Sequence, residues 1–244
     1  MQPRIGTRKL ATVAIFAALY AVLNLIPVSR LVGSVSFLTM ANVFSPVAGM
    51  LLGPFTGGLS VLVGTLVSFA LGKTVAFDGL DFIPGVIAAV TAGYAIQGKV
   101  FRVAGLSALL FSIYLVDPLS AILIQVGSAP IPYLWMHFVA AVVFVTASLA
   151  NKRRAGFVSL AALVVSIVFV STMNAHVAGG IMAENVLVRI NHFTPEGGMI
   201  GYWTTIFAVY PVERVFFTIV GSVLAIGVLR ALPQDTLRRL RRTF

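Results

Sequence analysis

Apolar residues run along this chain in long blocks, broken at glycine, proline and small clusters of charge. Because ~20 residues are needed to cross ~30 Å of hydrocarbon, the blocks divide into eight hydrophobic segments, at about 10 to 28, 37 to 53, 55 to 72, 82 to 97, 103 to 126, 131 to 150, 155 to 178 and 205 to 231. The second, third and fourth lie near the lower limit for a full crossing. The eighth is long, and Pro211 predicts that its helix starts there, with 198 to 210 at the interface. The fold class expected is all-α, a polytopic integral membrane helical bundle forming one domain over 1 to 244, with a basic tail at 232 to 244.

Composition strengthens that reading. Hydrophobic residues make up 59% of the 244 and charged ones only 10%, against roughly a quarter charged in soluble domains, and the mean hydropathy is +1.02. A water-soluble globule is excluded. The absence of cysteine excludes disulfides, thiolate metal sites and cysteine nucleophiles. A net charge of +10 would suggest nucleic acid in a soluble protein. Here it reports sidedness, and no nucleic-acid partner is expected. With the N-terminus cytoplasmic and eight alternating segments, 13 of the 17 basic residues fall inside, and Arg30, Lys73 and Arg189 fall outside. An N-in, C-in topology follows. The first segment is too long for a signal-peptide core and lacks a small-residue cleavage site, so it reads as a retained helix. The tail Arg238-Arg239-Leu240-Arg241-Arg242 reads as a topology anchor touching anionic headgroups or as a docking element.

Several places depart from plain lipid-facing helix. Ala14 and Ala18, like Ala17 and Ala21, stand four apart and leave one face of the first helix nearly smooth. Smooth faces let helices approach closely in lipid, either inside the protein or against a partner. Gly53-Pro54 predicts a tight helical hairpin at the inner face, and Gly58 and Gly64 permit close packing of the next helix. Asp117-Pro118 predicts a break and restart within the fifth segment, with the carboxylate either capping that half-helix or acting as a relay or ligand. Glu213 and Arg214 are adjacent and point about 100° apart, so they are expected to face different partners. Asn24, Trp135, His137, Asn174, His176, Asn191 and His192 lie mostly toward the outer half, beside Asp81, Glu184 and Arg189. This bias predicts an outward-facing polar pocket, not a channel.

Other chemistry lacks its motifs. There is no Gly-x-Ser-x-Gly elbow, no His-Glu-x-x-His and no phosphate-binding loop. Asp78-Gly-Leu-Asp81 reads as a turn and helix cap. No catalytic residue, metal site or cofactor is expected, and the chain is not expected to be an enzyme.

The stretch Thr7-Arg-Lys-Leu-Ala-Thr-Val-Ala-Ile-Phe-Ala-Ala-Leu-Tyr-Ala21 resembles the first helix of the substrate-binding (S) components of energy-coupling factor transporters. The Gly53-Pro54-x-x-Gly-Gly hairpin, Asp81-Phe-Ile-Pro-Gly85 leading to Gly93 and Lys99, and Pro211-Val-Glu-Arg-Val-Phe-Phe-Thr-Ile-Val-Gly221 are similar to its second to fourth and last helices. The resemblance covers about 7 to 100 and 205 to 232. It implies a multi-pass protein of the prokaryotic plasma membrane that captures a vitamin or related micronutrient outside. The substrate would then pass inward through association with a transmembrane coupling subunit and two cytoplasmic ATPases, in which ATP is hydrolysed. It further implies that Ala14, Ala17, Ala18 and Ala21 contact the coupling subunit, and that Arg30, Asp81, Asn174, His176, Glu213 and Arg214 line the substrate pocket. The family has six helices, so two of the eight segments form an extra hairpin between 100 and 178, with 155 to 178 in the role of the fifth helix. Two alternatives from other classes are a proton-coupled secondary transporter using Asp117 or Glu213, and an integral membrane enzyme.

Overall fold

A computed structural model describes residues 7–153 and 157–231. The expected basic tail at 232 to 244, with Arg4 and Arg154, lies outside the described residues. The described chain is all-α in class, with eight α-helices and two small hairpins: α1 (Thr7–Leu23), β1 (Pro27–Arg30), β2 (Phe37–Thr39), α2 (Ala41–Leu52), α3 (Pro54–Ala70), α4 (Phe82–Ile96), α5 (Val100–Val116), β3 (Leu123–Val126), β4 (Ala129–Pro132), α6 (Trp135–Arg153), α7 (Phe157–Met182) and α8 (Gly198–Ala231). A π-helical segment, Ala183–Ile190, continues α7. Two helices, Ser159–Ile190 and Gly198–Ala231, are long and apolar enough to cross a membrane, and six more apolar helices are shorter.

The core is set by how closely backbones approach. A β-carbon on Gly49 of α2 would lie 1.9 Å from the Ala89 carbonyl oxygen of α4, and one on Gly93 would lie 2.4 Å from the Pro54 nitrogen. Gly64 of α3 does the same for α1, with its missing β-carbon 2.7 Å from the Ala17 carbonyl oxygen. Small residues are therefore what allow α1 to α4 to pack as one unit, in place of the interlocking side chains that hold helices farther apart. Helix α4 also packs along α7, which in turn carries α5, α6 and α8. Buried hydroxyls on these helices mostly bond backward to their own helix, as Ser45 does to Ala41, Thr65 to Val61 and Ser171 to Ile167. These hydroxyls are then satisfied within their own helices.

Several expected boundaries move, each for an identifiable reason. The first segment leaves the helix at Leu23 and becomes strand β1, which pairs antiparallel with β2. The fifth does not break and restart. Helix α5 ends at Val116 because Pro118 forces the preceding Asp117 into extended backbone (φ −76°, ψ 125°), and β3 and β4 follow. The last helix does not begin at Pro211 but runs from Gly198 straight through it. Proline has a helix-compatible φ, and the turns ahead of it are anchored from outside: Trp203 Nε1 donates to the Leu119 carbonyl at 2.7 Å and Tyr210 Oη to the Tyr133 carbonyl at 3.1 Å.

The smooth face of α1 also divides. Ala17 and Ala21 are buried inside this chain (3% and 1% exposed), while Ala14 and Ala18 are exposed. Ala17 and Ala21 therefore cannot contact another subunit in this arrangement, because α3 already occupies their side through Gly64.

Candidate functional site

The loops after α1, α3, α5 and the π segment gather at one end of the bundle and are stitched there by polar contacts. Thr39 Oγ1 donates to Asn24 Oδ1 at 2.8 Å, and Asn24 Nδ2 donates to Ser68 Oγ at 2.8 Å, pinning β2 across α1 and α3. Ser36 Oγ reaches the Thr74 carbonyl at 3.0 Å, and Asn191 Nδ2 reaches Asp78 at 3.3 Å. Below these loops lies a cavity of about 120 Å³. Helices α1, α2 and α4 and the β1–β2 hairpin form one side, and α7 and α8 the other. No residue from the opposite end, around Gly53 and Gly93, reaches its lining.

Five of the six residues expected in a pocket line this cavity together: Arg30, Asp81, His176, Glu213 and Arg214. Asn174 does not. It is fully buried, accepting from Ser107 Oγ at 3.0 Å and donating to Thr91 Oγ1 at 3.3 Å, and so it joins α7 to α5 and α4. Two helical positions from His176 means about 200° of rotation, so both cannot face one cavity.

Asp81 holds a loop together more than it caps a helix. Although it sits at the N-cap position of α4, its side chain makes no cap bond. Its oxygens instead accept from the Ala76 and Phe77 amides at 2.8 and 3.0 Å, and Lys73 Nζ lies 3.7 Å away. Burial lowers the Lys73 pKa, and the Asp81 charge opposes that shift.

Glu213 and Arg214 face different partners, as expected, and approach each other only to 3.9 Å, outside hydrogen-bonding reach. Glu213 Oε1 is taken instead by Ser29 Oγ of β1 at 2.5 Å. The Arg214 side chain is 5% exposed, its guanidinium sits 5.4 Å from the Phe217 ring centre, and its Nε is buried without a partner.

Aromatic residues close the cavity floor and side. Tyr210 stacks on His176 with ring centres 4.6 Å apart, and His176 Nδ1 lies 3.0 Å from His137 Nε2. Tyr133 sits against His137, Tyr210 and Trp203, behind the lining. Asn24, one of the polar residues that predicted an outward-facing pocket, lines it too, and Tyr20, Phe37, Thr39, Asn42, Lys73, Tyr202 and Trp203 are lining residues that the sequence did not point to. The Trp203 and Tyr202 pair would have been found had 198 to 210 been read as helix, since both then fall on the Tyr210 side.

Asp117 stays outside the cavity. Its two oxygens are held by Arg189 at 2.6 and 2.7 Å, and Oδ1 also takes the Leu119 amide at 2.9 Å. The Arg189 hydrogen bonds and the Leu119 amide hold its pKa below the usual carboxylate value, against a smaller opposing effect of burial. Glu184, fully buried in the π segment, accepts from Ser120 Oγ and leaves Oε2 without a partner. Among the described residues no group of three or more His, Asp or Glu side chains is placed to hold a metal ion.

No protein-family model, curated protein or solved structure matches this chain. The fold and site define an all-α protein with a polar and aromatic cavity at one end and two helices long enough to cross a membrane.

Proposed function

We propose that this chain is a multi-pass membrane protein, N-in and C-in, that captures a small-molecule micronutrient at the outer face. In this reading it is the substrate-binding subunit of an energy-coupling factor type importer. The observation that carries the reading is the one-ended cavity, which unites five separately expected polar residues under a hairpin and stops short of the other end. Such a chamber suits capture better than conduction. The bundle exterior supports immersion in lipid, since Leu10, Ile15 and Leu19 on α1, Phe55 and Leu59 on α3, Phe138 and Val142 on α6, and Val212 and Ile219 on α8 are all exposed.

Delivery requires partners, a transmembrane coupling subunit and two ATPases. Ala14 and Ala18, exposed between Leu10, Ile15 and Leu19, offer the small-residue face for docking. The proton-coupled alternative loses one of its two candidate relays, because the Asp117 oxygens are already committed to Arg189 and Leu119.

The test is uptake in cells with and without the coupling subunit and ATPases. Uptake that needs the ATPases and survives a proton uncoupler supports the proposal, and uptake by the chain alone that collapses with the uncoupler overturns it. Ala14→Trp combined with Ala18→Trp should abolish uptake and leave substrate binding intact. Survival of the complex with those changes would refute the docking face.

A further inference from the structure

The cavity has an unbalanced charge. Its lining carries three cations, Arg30, Lys73 and Arg214, against two carboxylates, Asp81 and Glu213. Lys73 is matched by Asp81 at 3.7 Å. Glu213 is the remaining carboxylate, and its contact with Arg214 at 3.9 Å is too long for a hydrogen bond. Arg30 makes no ion pair among the described residues. One positive charge is left over.

Arg214 is the unusual member. A guanidinium has five N–H donors in a rigid fork, and no protein acceptor takes a hydrogen bond from this one among the described residues, while Nε is buried. A buried cation without hydrogen bonds is strongly disfavoured unless something else in the site satisfies it. The partner that fits a guanidinium fork best is a planar or tetrahedral oxyanion. The surplus of one charge selects a monoanion, since a phosphate monoester brings about −1.5 to −2 at neutral pH.

The rest of the wall sets the body of the ligand. Tyr20, Phe37, Phe77, Tyr202, Trp203 and Tyr210 line the same space. Aromatic rings favour a flat partner in offset or edge-to-face contact. The volume of about 120 Å³ is close to the ~150 Å³ of an engineered cavity that takes up benzene, so a single ring fits.

We infer that the cavity binds a small monocarboxylate with one flat ring, its carboxylate held by Arg214 and its ring among the aromatic side chains. This deepens the capture reading and rests on it. Arg30, on the hairpin above, supplies the attraction at the mouth.

The test uses the full chain in detergent, with the intrinsic fluorescence of its two tryptophans, of which Trp203 lines the cavity, as the signal and benzoate, pyridine-3-carboxylate and cyclohexanecarboxylate as probes, each beside its neutral amide. At least one aromatic carboxylate is expected to bind about tenfold or more tighter than its amide, the size of a charge-assisted hydrogen bond. That preference should vanish in Arg214→Gln and be reduced in Arg214→Lys, which keeps the charge but loses the fork. Amides binding as well as acids, or an acid preference that survives Arg214→Gln, overturns the inference. So does a response to phosphatidylglycerol in nanodiscs with none to any free carboxylate. If Arg214→Gln cannot be purified folded, the acid-to-amide ratio on the unmodified chain decides by itself. Mass spectrometry of co-purified small molecules separates the two levels: a bound neutral or cationic compound sinks the carboxylate and spares capture, whereas no small-molecule binding of any kind sinks both.

Discussion

Ser29 Oγ of strand β1 donates a 2.5 Å hydrogen bond to Glu213 Oε1 of helix α8, joining residues 184 positions apart across the cavity mouth. The β1–β2 hairpin is tied on the α1 and α3 side through Thr39, Asn24 and Ser36. On the far side the Ser29 bond and a longer one, from Tyr202 Oη to the Val32 carbonyl at 3.4 Å, fasten it to α8, and the hairpin has the form of a flap over the cavity.

Ser29→Ala should loosen that flap without unfolding the bundle. A hydrogen bond to a charged group is worth about 1.5–3 kcal/mol, so amide exchange across 27–39 should accelerate by about tenfold or more while exchange in α4 and α7 stays unchanged. Uniform acceleration through the whole chain would show the bond to be a general stability element, not a fastening.

The closest helix contacts should be intolerant of a single methyl group. Gly49→Ala places a β-carbon 1.9 Å from the Ala89 carbonyl oxygen, so α2 and α4 must separate. Overpacking typically costs ~1–3 kcal/mol, and a clash with backbone belongs at or above the top of that range. Gly105→Ala on α5, where a β-carbon meets nothing within 4 Å, should be neutral or slightly stabilising. Thermal unfolding of both variants in detergent checks the contrast, and equal melting temperatures would contradict the packing described for α2 and α4.

Asn174→Ala should weaken the fold and leave binding alone. Its amide serves both Ser107 and Thr91, fully inside the bundle, and its loss strands those hydroxyls at about 1–3 kcal/mol. Ligand affinity measured on the folded fraction should match the unmodified chain. A selective loss of affinity would place Asn174 in the site after all.

Acid should release the β3–β4 side. The folded Asp117 carboxyl titrates below its unfolded value of roughly 3.9 because Arg189 and the Leu119 amide favour the charged form. Its contribution is therefore complete above that unfolded value and declines as pH falls through the lower folded value. Unfolding followed between pH 6 and pH 3 should show an acid-side loss that is smaller in Asp117→Asn, whose stability should be lower at pH 6. An identical pH profile in both would remove the pair from any role in stability.

The helical class, the eight apolar segments and the charged residues worth testing were legible in the sequence, because they depend on local quantities: run length, glycine and proline punctuation, and the rarity of charge in apolar surroundings. Even the Gly53-Pro54 turn followed from residue identity. What the sequence could not decide was set by partners distant in the chain. Pro211 reads as a helix start by itself, and becomes helix interior only because Trp203 and Tyr210 are bonded to the Leu119 and Tyr133 carbonyls. Ala17 and Ala18 are alike in sequence and differ only in that Gly64 lies over one of them. His176 and Asn174 are both polar outliers on one helix, yet only the rotation of α7 against α4 sends one into the cavity and the other into the core. Periodicity fixes which residues share a face, whereas the face that meets a ligand, a neighbour or lipid is decided by which helices pack there.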